Sequence, residues 1–149
     1  RRGSRVVAMA SEAKHKDLAD LGPDMILPRS LTDFRSALGG EKITVVADVV
    51  GGPYWPTLID VLERGGRYTC SGAIAGPMVE LDLRTFYLRD LTFTGSTVIT
   101  LEVMPNLVQY IENGEIKPVL AAAYPLDQLL EAQEAFIAKK HTGNIVVCP

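Results

Sequence analysis

A chain of 149 residues, 47% of them apolar, is long enough to fold around a core of its own. Its net charge of −3 comes from 15 basic and 18 acidic residues scattered along the chain, which excludes the concentrated basic face that nucleic acid would need. No apolar run approaches membrane-spanning length, so no membrane partner is expected.

The amino-terminal stretch Arg1-Arg2-Gly3-Ser4-Arg5 has no signal-peptide core. Cys70 and Cys148 lie far apart and share no ligand-like spacing with each other or with His15 and His141. The reading is a reduced, cytoplasmic protein without a zinc site built from this chain alone.

The elements follow in order. Arg5–Ala10 is a short strand. Ser11 is placed to cap a helix over "EAKHKDLADL" that ends at Gly22. Met25–Pro28 is a second strand. Ser30 with Asp33 resembles a capping box, and Leu31, Phe34 and Leu38 share one helical face before Gly39-Gly40. "ITVVADVV" is a third strand whose near-continuous apolar character fits a central position covered on both faces. Pro53 and Pro56 fall where a first helical turn tolerates proline. Trp55, Leu58, Ile59 and Leu62 repeat at helical spacing until Gly65-Gly66. "RYTCSGA" is a fourth strand, "DLRTFYLRD" a short helix and "LTFTGSTV" a fifth strand.

The last third changes character. Met104, Leu107, Val108 and Ile111 mark a helix ending at Asn113-Gly114, "KPVLAAAYP" reads as extended, and Leu126, Leu129, Leu130, Gln133, Phe136 and Ile137 mark another amphipathic helix. "NIVVC" closes as a strand. This segment is expected to pack elsewhere than on the first sheet. Strands alternating with helices of about ten residues imply right-handed crossovers and a doubly wound parallel α/β sheet.

In such a sheet, ligands bind beyond the carboxyl ends of the strands. Those ends are Ala10-Ser11, Pro28-Arg29, Val50-Gly51-Gly52, Gly72-Ala73-Ile74 and Gly95-Ser96-Thr97. Three carry glycine. Each alone reads as a tight turn, and three together point to a nucleotide cleft. At the first strand end, a fold preferring NAD would carry Asp or Glu. Here stand Ala10-Ser11, with Lys14 one turn on and Arg29 after the next strand. A hydroxyl, an ammonium and a guanidinium suit a phosphate, which favours NADP, with NAD as the alternative. Asp48 bonds either to nearby backbone or to a cofactor ribose, and Trp55 either walls the cleft or packs its helix. Cys70 reads as a buried structural thiol, His15 as solvated, and His141 as a partly exposed capping residue.

The segments "ADLGPDMILP", "VVADVVGG", "RGGRYTCSGAIAG", "LTFTGSTV" and "KKHTGNIVV" occur in the order and spacing of a known family. With them the chain resembles the medium-chain dehydrogenase/reductase superfamily, above all its quinone-oxidoreductase-like and zinc-type alcohol dehydrogenase members. The resemblance implies a Rossmann-like cofactor domain and hydride transfer from or to a nicotinamide. It places Ser11, Lys14 and Arg29 near an adenosine 2′-phosphate, and Val50 and Gly51 along the cofactor. It places Gly72, Ala73 and Ile74 against the nicotinamide, Ser96 and Thr97 near the carboxamide, and Asn144 beside the pyrophosphate. Arg29 departs from the tyrosine common there in NADPH-dependent relatives. The resemblance implies no catalytic residue in this chain.

Such a protein would open with a catalytic domain, a first Rossmann strand and a glycine-rich loop, and none is present: no G-x-G-x-x-G occurs. The expectation is therefore a carboxy-terminal fragment. Residues 1–116 would be a partial cofactor-binding domain and residues 117–149 a tail returning to the catalytic domain. A strand from another copy or other polypeptide would fill the gap in the sheet. A small-molecule substrate would bind the full-length protein, and the edge strand "LTFTGSTV" would support a homodimer. The alternative is a non-catalytic nucleotide-binding or dimerisation module.

Overall fold

The computed structural model describes residues 3–149, so Arg1 and Arg2 of the amino-terminal stretch lie outside the described residues. The chain folds as two compact units: the described residues up to Ser30 together with Thr100–Pro149, and Leu31–Ile99. Every strand pair is parallel, as the alternation of strands and helices predicts.

In the unit Leu31–Ile99, α2 (Phe34–Leu38) is capped by Asp33, whose carboxylate accepts from the Ser36 amide at 3.0 Å. Ser30 takes no part in that cap and bonds Glu12 instead. The strands β3 (Ile43–Asp48), β4 (Leu62–Cys70) and β5 (Thr92–Gly95) form one sheet in the order β3-β4-β5. The helices α3 (Trp55–Asp60) and α4 (Leu83–Leu88) connect them. Pro53 and Pro56 sit at the start of the first connection, where they displace no needed amide.

Two expectations change here. Leu62 continues the helical spacing of Trp55, Leu58 and Ile59, yet it opens β4. Its partner is Ile43, and the ladder resumes at Val45 with Arg67, so residues 63–66 bulge from the strand. The Gly65 amide bonds the Arg89 carbonyl at 2.8 Å, and Arg89 donates to the carbonyls of Ile59, Asp60 and Leu62. Second, β3 is covered on one face only. Val46 and Asp48 are buried, while Val45 is 47% exposed. Within its unit β3 pairs with β4 alone.

The covered face is the core. Val46, Ile59, Leu62, Tyr68 and Leu91 are buried there, with Trp55, Phe86 and Phe93 packed against them. Trp55 meets Tyr68 edge-on at 4.8 Å between ring centres, and Phe93 at 5.5 Å. Such edge contacts add about 0.5–1.5 kcal/mol each beyond the apolar area removed from water.

In the other unit, β1 (Val7–Ala10) pairs with β2 (Met25–Pro28) from Val7 against Met25 to Ala10 against Pro28. Between them, a short 3-10 turn over Glu12–Lys14 precedes α1 (His15–Ala19), a shorter helix than the sequence suggests. The Ser11 side chain caps nothing; its carbonyl accepts from the Lys14 amide instead. The helix α5 (Val103–Glu112) leads to β6 (Leu120–Pro125), α6 (Leu129–Ala138) and β7 (Asn144–Cys148), and β6 pairs with β7. The helix α6 buries Ala132 and leaves Leu130, Phe136 and Ile137 more than half exposed.

Candidate functional site

Beyond the carboxyl ends of β3 and β4, the chain builds one rim. Asp48, the last residue of β3, is buried at 5% exposure. Its carboxylate accepts from the Val50 amide at 2.7 Å, the Gly51 amide at 3.1 Å and the Tyr68 hydroxyl at 2.6 Å. Asp48 thus bonds nearby backbone, one of its two expected roles, and the Tyr68 side chain as well. Burial pushes its carboxyl upward, but the hydrogen bonds from Tyr68, Val50 and Gly51 outweigh that and hold it below the usual carboxylate value. Burial, then the neighbouring Asp48 carboxylate, pushes the Tyr68 hydroxyl well above its ordinary value. Neither group is poised to exchange protons near neutrality.

The glycines beyond Asp48 face the chain itself. Gly51 and Gly52 have φ of +63° and +69°, a region costly for other residues. A Cβ on Gly51 would lie 3.0 Å from the Gly76 carbonyl oxygen, and one on Gly52 2.6 Å from that of Ala75. A Cβ on Gly72 would lie 2.8 Å from the Val49 carbonyl oxygen. The β3–α3 turn and the loop after β4 are thus pressed together. The Ser71 amide bonds the Asp48 carbonyl at 3.0 Å and the Ala75 amide bonds the Val50 carbonyl at 2.8 Å. Trp55 does more than pack its helix: its indole N–H bonds the Glu80 carbonyl at 2.8 Å. The Cys70 thiol, half-buried, donates to the Gly72 carbonyl at 3.3 Å.

Of the residues expected here, Val50, Gly51, Gly72 and Ala73 are brought together in this rim. Ile74 stands at its tip, 82% exposed. The Ser96 amide continues the β4–β5 ladder to the Cys70 carbonyl at 2.9 Å, and Thr97 follows it, exposed. The sequence reading missed Tyr68. Its signal was the alternation of Tyr68 with Cys70 along a strand beside one that ends in a lone acid.

The other unit gathers a second set. The Lys14 ammonium donates to the His141 carbonyl at 2.8 Å, tying the turn after β1 to the loop between α6 and β7. Ser11 and Arg29 are exposed at the ends of β1 and β2, where the Arg29 amide bonds the Ala10 carbonyl at 3.0 Å. Half-buried His15 places a ring nitrogen 3.2 Å from the same carbonyl, so it is not the solvated residue expected. Asn144 opens β7, its amide bonded to the Val119 carbonyl at 2.8 Å. Just before it, a Cβ on Gly143 would come within 2.4 Å of that carbonyl oxygen, which fixes the loop closely. In this loop the His141 Nδ1 and the Thr142 Oγ1 are buried with no hydrogen-bond partner. Thr142 was not singled out from sequence. Beside the loop, Phe136, Ile137, Ile145 and Val147 line an apolar groove of ≈ 490 Å³.

Comparison with known proteins gives this geometry a context. A family model described as zinc-binding dehydrogenase matches residues 21–147. The acryloyl-coenzyme A reductase of Sulfurisphaera tokodaii is 27% identical over 99% of this chain and 44% of its own length. The chloroplastic NADPH-dependent alkenal/one oxidoreductase of Arabidopsis thaliana is 26% identical over 98% of this chain and 34% of its own. Among solved structures, a thermostable alcohol dehydrogenase from Pyrobaculum aerophilum superposes with a TM-score of 0.81 at 30% identity, over 99% of this chain and 43% of that one. The chain therefore spans less than half the length of these proteins.

Proposed function

We propose, for a chain that belongs to the zinc-binding dehydrogenase family, that it is the cofactor-domain portion of an NADPH-dependent oxidoreductase, with NAD as the alternative dinucleotide. The intact protein would transfer hydride to a quinone or enone, or between a carbonyl and an alcohol. Support comes from the relatives named above, two of which are called reductase or oxidoreductase and one NADPH-dependent.

The observation that carries the reading is the rim beyond β3 and β4. It is closely packed and glycine-bearing, and its carboxylate and phenol, Asp48 and Tyr68, are held by each other and by backbone. A rim of this kind positions a ligand and reacts with nothing. A bound nicotinamide would supply the hydride chemistry. The chain's part is to hold and orient: Val50, Gly51, Gly72, Ala73 and Ile74 along the rim, Ser96 and Thr97 past β5, and Ser11, Lys14, Arg29 and Asn144 toward phosphates. The buried polar atoms left without partners beside Lys14 fit such an anionic group. No catalytic residue is assigned to this chain.

Zinc is a different matter. Among the described residues, no group of three His, Cys, Asp or Glu could hold a metal ion. The residues present do not fit a zinc site, and no proposed step passes through one.

Residues 1–116 are proposed as the partial cofactor domain and 117–149 as a tail, the latter supported by β6 pairing with β7. A homodimer is proposed through β5, which pairs only with β4 in its unit and is followed by exposed Val98 and Leu101. Unpaired Cys70 and Cys148 support a reducing compartment such as the cytoplasm. No helix among the described residues is long and apolar enough to cross a membrane.

The test is titration of NADPH and NADH into the protein as its source cell makes it, followed by reductase assays with quinone and enone substrates. Binding of NADPH about tenfold tighter than NADH, with turnover, supports the reading. Binding of neither overturns it and leaves the dimerisation module.

A further inference from the structure

We propose that Tyr68 and Asp48 are positioning residues for hydride transfer. Acting through the backbone they hold, they set where the nicotinamide ring rests, and so the rate of transfer rather than the affinity. The inference rests on the cofactor reading above and gives a role to two side chains which that reading leaves idle. The two Asp48 oxygens divide the work. Oδ1 accepts from the Val50 amide at 2.7 Å and the Gly51 amide at 3.1 Å, and Oδ2 accepts from the Tyr68 hydroxyl at 2.6 Å, with the Gly51 amide also within 3.2 Å. The last torsion of a carboxylate is soft, so the hydroxyl fixes the orientation in which Oδ1 meets the turn.

Tyr68 is held in turn by the core. Its ring meets Trp55 at 4.8 Å and Phe93 at 5.7 Å, both edge-on. Trp55 donates to the Glu80 carbonyl, at the far end of the segment that follows β4. The near end of that segment bonds the carbonyls of Asp48 and Val50 through the amides of Ser71 and Ala75. Both sides of the rim are therefore referred to one ring. They meet backbone to backbone: a Cβ on Gly51 would lie 3.1 Å from the Ala73 Cα. A shift of the turn has no slack to absorb it and passes to Val50 and Ala73, two of the residues proposed along the rim. The transfer breaks one C–H bond of the reduced nicotinamide and carries the hydrogen, with both electrons, to the substrate, which takes one proton from water. Its rate is steep in geometry: a misplacement of about 1 Å costs about a hundredfold.

The test compares the full-length protein with Tyr68→Phe, Asp48→Ser and a control, Ile59→Val, which thins the same core from α3. Four quantities are read: single-turnover hydride transfer to an enone or quinone, NADPH affinity, the emission of bound NADPH without substrate, and amide exchange at Val50 and Gly51 without cofactor. In Tyr68→Phe and Asp48→Ser, transfer is expected to slow about tenfold, with NADPH affinity within about twofold of the parent. The emission of bound NADPH should shift, because the ring rests differently, and the Val50 and Gly51 amides should exchange faster. Ile59→Val should leave all four near the parent values. If Asp48→Ser does not fold, Tyr68→Phe carries the test alone. Equal slowing in Ile59→Val, or faster exchange in Tyr68→Phe with transfer and emission unchanged, reduces the pair to a structural role and overturns the inference. A loss of affinity at unchanged transfer rate overturns it as well. All three outcomes leave the cofactor reading intact. Failure of the unaltered protein to bind NADPH or NADH overturns both.

Discussion

The Tyr68 hydroxyl lies 2.6 Å from the Asp48 carboxylate, reaching diagonally from β4 to the end of β3, where Asp48 itself pairs with Cys70. One bond thus joins the aromatic core to the turn that begins the rim. The carboxylate is the hub: it receives a side chain from below and two amides from the turn above.

Asp48→Asn keeps an acceptor but removes the charge, and should lower stability at pH 7 by about 1–3 kcal/mol in denaturant unfolding. The pH dependence has a definite sign. A carboxyl held below its usual value in the folded state stabilises above the unfolded value, about pH 4, and loses that contribution as pH falls through the folded one. The gap between the parent and Asp48→Asn should therefore be widest near neutrality and close below about pH 4. A gap that stays constant down to pH 2 would show that the charge contributes nothing.

Tyr68→Phe leaves the ring among Trp55 and Phe93 and removes only the hydroxyl. A loss of about 1–2 kcal/mol is expected. Combined with Asp48→Asn, the double variant should lose less than the two singles added, because both remove one shared bond. Strict additivity would contradict the coupling.

Gly52→Ala meets the Ala75 carbonyl oxygen at 2.6 Å and also suffers the positive φ. More than about 1 kcal/mol should be lost, with faster amide exchange across Ala73–Gly76. Gly95→Ala is the control: nothing lies within 4 Å of its Cβ position, and a change within about 0.5 kcal/mol is expected. Equal effects at both positions would refute the close packing of the loops.

Trp55→Phe keeps an aromatic ring in the core and removes the indole bond to the Glu80 carbonyl. That bond is exposed, so stability should fall by less than about 1.5 kcal/mol. Amide exchange over residues 77–82 should nevertheless rise several-fold. Unchanged exchange there would show that the indole does not tether the segment.

Much of this was legible in the residues. Met25–Pro28 emerges as a strand with the bounds its turn signals set, and the prolines at 53 and 56 open a helical connection as their missing amides require. Leu62 was not legible, because its place is decided by pairing with Ile43, nineteen positions earlier, against a local spacing that is helical. Asp48 could be recognised as an anomaly but not interpreted, since its partner Tyr68 stands twenty positions on. The same holds for His141: sequence shows a polar loop residue, and only the fold shows a ring nitrogen shut away from water and from partners. Of the expected site, the rim residues converge because they end neighbouring strands, which periodicity does predict. That the glycines there are filled by the chain's own loop depends on packing between segments that no local pattern encodes.

The burial pattern also sets how this chain responds to temperature. Among the described residues ten apolar residues are buried, Leu62 most deeply at 2% exposure, while Met78, Val98 and Leu101 are 88%, 90% and 91% exposed. Unfolding has correspondingly little new apolar surface to hydrate, so its heat-capacity increment should fall below the usual 12–15 cal/mol/K or so per residue. With a small increment, the stability curve is a broad, shallow arch. Cooling would weaken this chain little, and calorimetry would find a modest melting enthalpy that changes slowly with the melting temperature.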